Sequence, residues 1–238
     1  LGNDLAFVTG ASRGIGRAIA LELGRRGARV VGTATSAAGA QAISDAFAAA
    51  GVQGRGVVLD VADAAAVDAC LKEVEAQDGT PSILVNNAGF CRDRMIFNMS
   101  EEEFDSVIRV HLKGHFCTMR FASEYWRERA KQAGGALYAR IINTSSGAGL
   151  MGSVGPPGQP TYATSKAGIG AMTTSTAQVL QKHGLTANAI MPRARTRMND
   201  TPMLAAMFAK PEAGFDVYAP ENVSPLVAWL GSREAAQV

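Results

Sequence analysis

The sequence predicts a doubly wound, Rossmann-like α/β fold, with one parallel sheet carrying helices on both faces of a single domain. Three observations predict it. Short, mostly apolar runs alternate with helical patterns of about 10 to 20 residues, as strands buried on both faces require. A glycine cluster, Thr9-Gly10-Ala11-Ser12-Arg13-Gly14-Ile15-Gly16, joins the first apolar run to the first helical pattern. No polar linker, repeat or shift of composition divides the 238 residues, so one domain is expected over 1–238.

In chain order, strands are expected at 5–9, 28–33, 56–59, 83–86, 137–143 and 186–190. Helices are expected at 15–25, 40–50, 64–75, 101–131 and 162–181, with a last one at 223–230. Gly79 and Pro81 punctuate the approach to the fourth strand, and Ser100 with Glu103 forms a capping box for the long fourth helix. Two irregular stretches remain. Residues 147–161 are rich in glycine and proline, and 192–215 leaves room for one short helix. Both follow carboxyl ends of strands, where ligands bind in this architecture.

Composition excludes several functions. With 23 basic and 21 acidic residues the formal charge is +2, too balanced for a nucleic-acid surface. No apolar run approaches the roughly 18 residues of a membrane span, and residues 1–8 lack the basic-then-apolar layout of a signal peptide. Cytoplasm is the expected location, with no membrane partner. Cys70, Cys91 and Cys117 lie far apart, without disulfide-scaffold or zinc spacing, so no metal is expected. Arg127, Arg129 and Lys131 form a denser patch. It is either a solvated helix end, where cations suit the dipole, or a docking surface for an acidic carrier or nucleotide-bearing substrate.

The glycine cluster has the spacing Gly-x-x-x-Gly-x-Gly, through Gly10, Gly14 and Gly16. Between a strand and a helix, such glycines let backbone approach a pyrophosphate whose charge the helix N-terminus favours. Ser12, Arg13 and Ile15 complete that loop. An NAD site places a carboxylate near the end of the second strand, but here the residues are Val31-Gly32-Thr33-Ala34-Thr35-Ser36. Arg13 is free to face a 2′-phosphate, with Thr35 or Ser36 donating hydrogen bonds, so NADP is the expected cofactor. Asp60, beside Val61 after the third strand, either caps a turn or accepts from the adenine amino group. Asn86-Asn87-Ala88-Gly89 ends the fourth strand, placed to bind neighbouring backbone or the cofactor sugar.

Tyr162 and Lys166 stand four residues apart, on one helix face. Reducing a ketone takes a hydride donor and a proton donor at the oxygen. A phenol with its ordinary pKa of about 10 is a sluggish base for the reverse step, and a neighbouring ammonium is expected to favour phenolate. Ser145 and Ser146, at the end of the fifth strand, both offer a hydroxyl to steady charge on the substrate oxygen. The Gly-x-Ser-x-Gly elbow of a nucleophilic serine is absent.

Together, 9–16, 86–89, Ser146 and Tyr162-x-x-x-Lys166 resemble the short-chain dehydrogenase/reductase family over nearly the whole chain. Residues 5–94 are especially similar to bacterial 3-oxoacyl-[acyl-carrier-protein] reductases. From about Phe97 onward the chain is more similar to actinobacterial relatives of acyl-CoA or steroid breakdown, notably at 141–146 and Pro220-Glu221-Asn222-Val223. The resemblance implies Tyr162 as proton donor and Lys166 as a ligand of the nicotinamide ribose. The family pattern of serine, two residues, then glycine falls on Ser146 and Gly149, selecting Ser146.

Three departures stand out. His111 occupies the place of an asparagine that supports a proton-relay water in the family; it either substitutes in that role or packs structurally, and His115 reads as structural. Pro192-Arg193 replaces the usual Pro-Gly, so the local backbone or nicotinamide pocket must differ. The segment between Ser146 and Tyr162 is a few residues longer than usual, through Gly155-Pro156-Pro157-Gly158. Family members also run on to a final strand with a glycine pair. That strand is not found before Val238, so either the chain continues beyond this residue or the sheet ends early.

The leading expectation is NADPH-dependent reduction of a 3-oxoacyl thioester on acyl-carrier protein or coenzyme A, with Ser146, Tyr162, Lys166 and His111 as catalytic residues. The alternative is a hydroxysteroid or 3-hydroxyacyl-CoA dehydrogenase. Met151, Met198, Met203, Met207 and Phe208 then line an apolar cleft, or else serve as plain core and lid. A nucleotide-binding regulatory protein with weakened catalysis is a third reading. Small residues on the Tyr162 helix, including Ala163, Ala167, Gly170, Ala171 and Ala177, suit close helix packing. With the family precedent, they favour a homodimer or homotetramer.

Overall fold

A computed structural model describes residues 1–2, 4–153, 157–199 and 202–238. Its strands are β1 (Leu5–Val8), β2 (Arg29–Ala34), β3 (Gly54–Val58), β4 (Ile83–Asn86), β5 (Ala139–Thr144) and β6 (Leu185–Ile190). Every neighbouring pair is parallel, in the order β3-β2-β1-β4-β5-β6. The chain winds outward through β2 and β3, crosses back to β4, and winds outward the other way. This reversal opens a crevice at the carboxyl ends of β1 and β4.

Side chains of β1 alternate between two cores, as the two-residue period of a strand demands. Ala6 and Val8 face a cluster with Ile19, Leu23, Phe47 and Val227, whereas Leu5 and Phe7 face one with Val67, Val74, Trp126 and Leu180. The helices supplying these residues include α1 (Gly14–Arg25), α2 (Ala37–Ala49), α3 (Ala64–Asp78), α4 (Glu101–Ile108) and α5 (Gly114–Ala133). They are followed by α6 (Ala148–Met151), α7 (Pro160–Leu180), α8 (Pro202–Met207) and α9 (Ser224–Leu230).

Helix starts follow their caps. Ser36 Oγ accepts from the Gly39 amide at 3.1 Å, so α2 begins three residues before its expected start. The Ser100–Glu103 capping box forms as expected. The long helix expected over 101–131 is a single helical path interrupted by a π turn, Arg109–Lys113, which buries His111. The short α6 lies within the loop expected at 147–161; Gly155 and Pro156 fall outside the described residues.

A chain of buried side-chain hydrogen bonds keys the second half of the sheet to its helices. Thr118 Oγ1 donates to Asn86 Oδ1 at 2.7 Å, Asn86 Nδ2 to Asn143 Oδ1 at 2.9 Å, and Asn143 Nδ2 to Thr173 Oγ1 at 2.8 Å. It joins α5, β4, β5 and α7, and so fixes the helix that carries Tyr162 and Lys166.

The basic patch near the end of α5 is largely paired. Arg127 and Lys131 flank Glu128 at 2.9 and 3.0 Å, and Arg129 donates to the Tyr125 hydroxyl at 2.8 Å. Among the described residues, no helix is long and apolar enough to cross a membrane, and no side chains gather as metal ligands.

Candidate active site

A cleft of about 1350 Å³ runs along the carboxyl ends of the strands, from the glycine loop after β1 to the first turns of α7. It is lined by Gly10, Ser12, Arg13, Gly14, Ile15, Gly16, Thr35, Asp60, Val61, Asn87, Ala88, Gly89, Ser146, Tyr162 and Lys166. The strand order alone brings these distant segments together. His111 is not in the lining; it lies behind it, fully buried.

The glycine loop is held by the loop after β4. Gly10 has φ +67°, and a Cβ there would sit 2.8 Å from Ala88 Cα. At Gly16 a Cβ would lie 2.2 Å from the Gly10 carbonyl oxygen. Asn87 Nδ2 donates to the carbonyls of Thr9 and Gly10 at 3.1 and 3.2 Å, and the amides of Asn87 and Ala88 donate to Thr9 Oγ1. Asn87 is thus a brace for the loop, through neighbouring backbone. Helix α1 starts with no side-chain cap and no acidic residue in its first turn, leaving its amides and positive end open to an anion. These residues fit the pyrophosphate of a dinucleotide.

No carboxylate follows β2. Thr35 borders the cleft, but Ser36 does not, because its hydroxyl caps α2. Asp60 caps a turn, accepting from the Ala62 amide at 2.9 Å, while still bordering the cleft.

At the other end, Ser146 borders the cleft with Tyr162, and its Oγ accepts from the Ala148 amide at 3.2 Å. Ser145, the competing hydroxyl, is buried and donates to the Lys166 carbonyl at 2.8 Å, a bond that ties β5 to α7. Lys166 is 2% exposed; its Nζ donates to the Thr144 carbonyl at 2.6 Å and lies 5.4 Å from the Tyr162 ring centroid.

The electrostatics differ from the expected acidified phenol. Burial pushes Tyr162 up to about 12, aided by Cys91 and Asp93 and opposed by the Ser146 hydroxyl. Burial also lowers Lys166 to about 7. The amine is anchored on a backbone carbonyl and stands over the ring, so desolvation outweighs its attraction for a phenolate.

His111 Nε2 lies 2.7 Å from the Phe90 carbonyl oxygen and 3.0 Å from the Phe90 amide nitrogen, and its Nδ1 has no partner. Gly89 leaves room for the ring: a Cβ there would sit 2.2 Å from His111 Cε1. Burial, then the nearby Lys166, holds His111 down at about 3, and His115, fully buried, is also held well below its ordinary value. His111 therefore remains neutral and positions the loop after β4.

Several cleft residues were not singled out for the site in the sequence. Cys91, held up at about 12 by burial, and Asp93 follow directly after Gly89-Phe90. That adjacency was the available signal. In the segment after β6, Arg193 borders the cleft, with its guanidinium over the Phe208 and Tyr218 rings at 5.4 and 5.3 Å. Met198, Met207 and Phe208 line the cleft, Met151 does not, and the side chain of Met203 lies outside the described residues.

A family model described as short chain dehydrogenase matches residues 4–211. The hydroxyacyl-CoA dehydrogenase ChsB1 of Mycobacterium tuberculosis is 47% identical over 245 residues, covering 100% of this chain and 75% of the relative. The 3-oxoacyl-[acyl-carrier-protein] reductase FabG of Escherichia coli is 39% identical over 241 residues, covering 98% and 92%. The crystal structure of a short chain dehydrogenase from Mycobacterium avium superposes with a TM-score of 0.86 at 45% identity, covering 100% of this chain and 79% of that one.

Proposed function

Because the chain belongs to the short-chain dehydrogenase family, and is an oxidoreductase acting on CH–OH and C=O groups, we propose that it interconverts 3-oxoacyl- and 3-hydroxyacyl-coenzyme A with NADP(H). The observation carrying this reading is the meeting of Ser146, Tyr162 and Lys166 in the cleft that also holds the glycine loop. Coenzyme A is preferred as carrier because the hydroxyacyl-CoA dehydrogenase is 47% identical to this chain, against 39% for the acyl-carrier-protein reductase of Escherichia coli. Lack of a carboxylate after β2, together with Arg13 in the loop, supports NADP(H).

A bound dinucleotide supplies the hydride. The chain does the rest. Ser146 hydrogen-bonds the substrate carbonyl oxygen, and Tyr162 gives that oxygen its proton as the carbonyl carbon is reduced. A phenol held up at about 12 is fully protonated near neutrality, the form reduction needs. Lys166, near 7, is poised to return a proton to the phenolate. Oxidation needs the phenolate, whose formation the burial of Tyr162 opposes. His111 keeps the Gly89-Phe90 backbone in place as a neutral imidazole.

A second reading, a hydroxysteroid as substrate, is favoured by the apolar Met198, Met207 and Phe208 in the cleft wall. For assembly, we infer a homodimer or homotetramer, supported by the exposed Ala167 and Ala171 on α7. The cytoplasm remains our proposed location.

Purified protein should oxidise NADPH at 340 nm with acetoacetyl-CoA, faster than with acetoacetyl-acyl-carrier protein, and faster than a Tyr162→Phe control. Thioester turnover no higher than that control refutes the proposal. Turnover of hydroxysteroids alone replaces it with the second reading.

A further inference from the structure

The two segments that flank the Tyr162 end of the cleft carry arginines two residues apart, Arg92 and Arg94 after β4 and Arg193, Arg195 and Arg197 after β6. In each segment, one of them is neutralised. Arg94, after β4, pairs with Glu103 at 2.6 Å, and Arg195, after β6, pairs with Asp216 and donates to the Phe208 carbonyl at 2.9 Å. Arg92, Arg193 and Arg197 border the cleft and form no ion pair with a described residue, and two of them, Arg92 and Arg193, also lie over aromatic rings. Arg92 lies over Phe90 at 5.2 Å, and Arg193 over Phe208 and Tyr218 at 5.4 and 5.3 Å, with Met207 Sδ 3.7 Å from Nη2. Asp93, the nearest carboxylate in sequence, accepts from Gln159 at 3.1 Å.

A guanidinium braced on a ring keeps its planar fork of donors exposed and loses less side-chain freedom when an anion arrives. Strand order places both arginines after β4 and β6, at the Tyr162 end of the cleft, away from the glycine loop and the ends of β2 and β3 that suit the pyrophosphate and 2′-phosphate of a dinucleotide. The anion they suit is therefore one carried by the substrate. From the proposed function, on which this step rests, we infer that Arg92 and Arg193 form a phosphate-reading site for the pantetheine arm of the acyl thioester. Phosphoryl groups match the bidentate fork, and an acyl chain offers none.

The test compares acetoacetyl thioesters of coenzyme A, of 4′-phosphopantetheine and of phosphate-free pantetheine, in the wild type and in Arg92→Gln, Arg193→Gln and the double variant. The readout is the ratio of kcat/KM for a phosphate-bearing thioester to that for pantetheine. We expect a wild-type ratio well above one, falling roughly five- to tenfold in each single variant and shrinking with added salt. Arginine dependence shared by coenzyme A and phosphopantetheine assigns the site to the 4′-phosphate. Dependence confined to coenzyme A assigns it to the nucleotide phosphates. Arg92→Lys and Arg193→Lys, which keep the charge without the fork, should give intermediate ratios and serve if a glutamine variant fails to fold. Thioester turnover with a wild-type ratio near one, or a ratio the variants leave unchanged, overturns the inference and leaves the proposed function standing. No turnover of any thioester overturns both.

Discussion

The imidazole of His111 stands edge-on to the phenol of Tyr162, with ring centroids 5.4 Å apart and planes at 87°. A group from a π turn in the helical path therefore packs directly on the proposed proton donor. Its other contacts are with the Phe90 backbone, so one buried ring couples the loop after β4 to the start of α7.

Acid should expose this dependence. His111 sits at about 3 in the folded protein, against an ordinary value of about 6.5 in the unfolded chain. Between these values the unfolded state binds the extra proton, so stability is lost as pH falls through that window. Thermal unfolding measured from pH 7 to 4 should show a decline that is shallower in His111→Asn. Equal slopes would contradict a buried neutral imidazole.

Lys166 acts in a higher window. Its folded value of about 7 lies below the ordinary 10.5, so the unfolded chain binds more protons between the two. Stability from this group rises with pH across that range. The wild type should carry this rising component up to about pH 10, where Tyr162, held up at about 12, begins to act in the opposite sense. Lys166→Met should lack the component in denaturant titrations at pH 7 and 9.

The adjacent serines should separate cleanly. Ser146→Ala is expected to lower kcat by about 10² to 10³ with little change in unfolding midpoint, as loss of one donor to a developing oxyanion does. Ser145→Ala removes a buried bond to the Lys166 carbonyl, so it should cost about 1 kcal/mol of stability. Equal losses of kcat in both variants would defeat this division of labour.

Cofactor choice can be tested at two positions. Arg13→Ala should raise KM for NADPH about tenfold while barely changing that for NADH, if the guanidinium pairs with the 2′-phosphate. Thr35→Asp adds the carboxylate missing after β2 and should turn the preference toward NADH. Steady-state kinetics with both cofactors decide the matter.

Much of the fold could be read from the residues, because buried parallel strands are short apolar runs and caps are local. β4 falls at the expected residues, and the other strands shift only at their ends. What escaped was set by tertiary contacts. The π turn at Arg109–Lys113 has no glycine or proline to announce it; its cause is the packing of His111 beneath Phe90. The Tyr162–Lys166 pair was visible as a spacing, yet its charge state depends on depth of burial and on the Thr144 carbonyl, which no spacing encodes. Arg193 stands out in the sequence as a missing glycine, whereas its aromatic bed depends on the return of Phe208 and Tyr218 from later in the chain.

The Thr118–Asn86–Asn143–Thr173 chain works as a lock with one key position. Oily side chains slide past one another with little penalty, but amides and hydroxyls met in sequence tolerate only one alignment. Replacing all four with apolar residues of similar volume would leave a protein that folds, while the tyrosine helix gained freedom to drift along the sheet. Its first symptom would be slack chemistry in an otherwise healthy molecule.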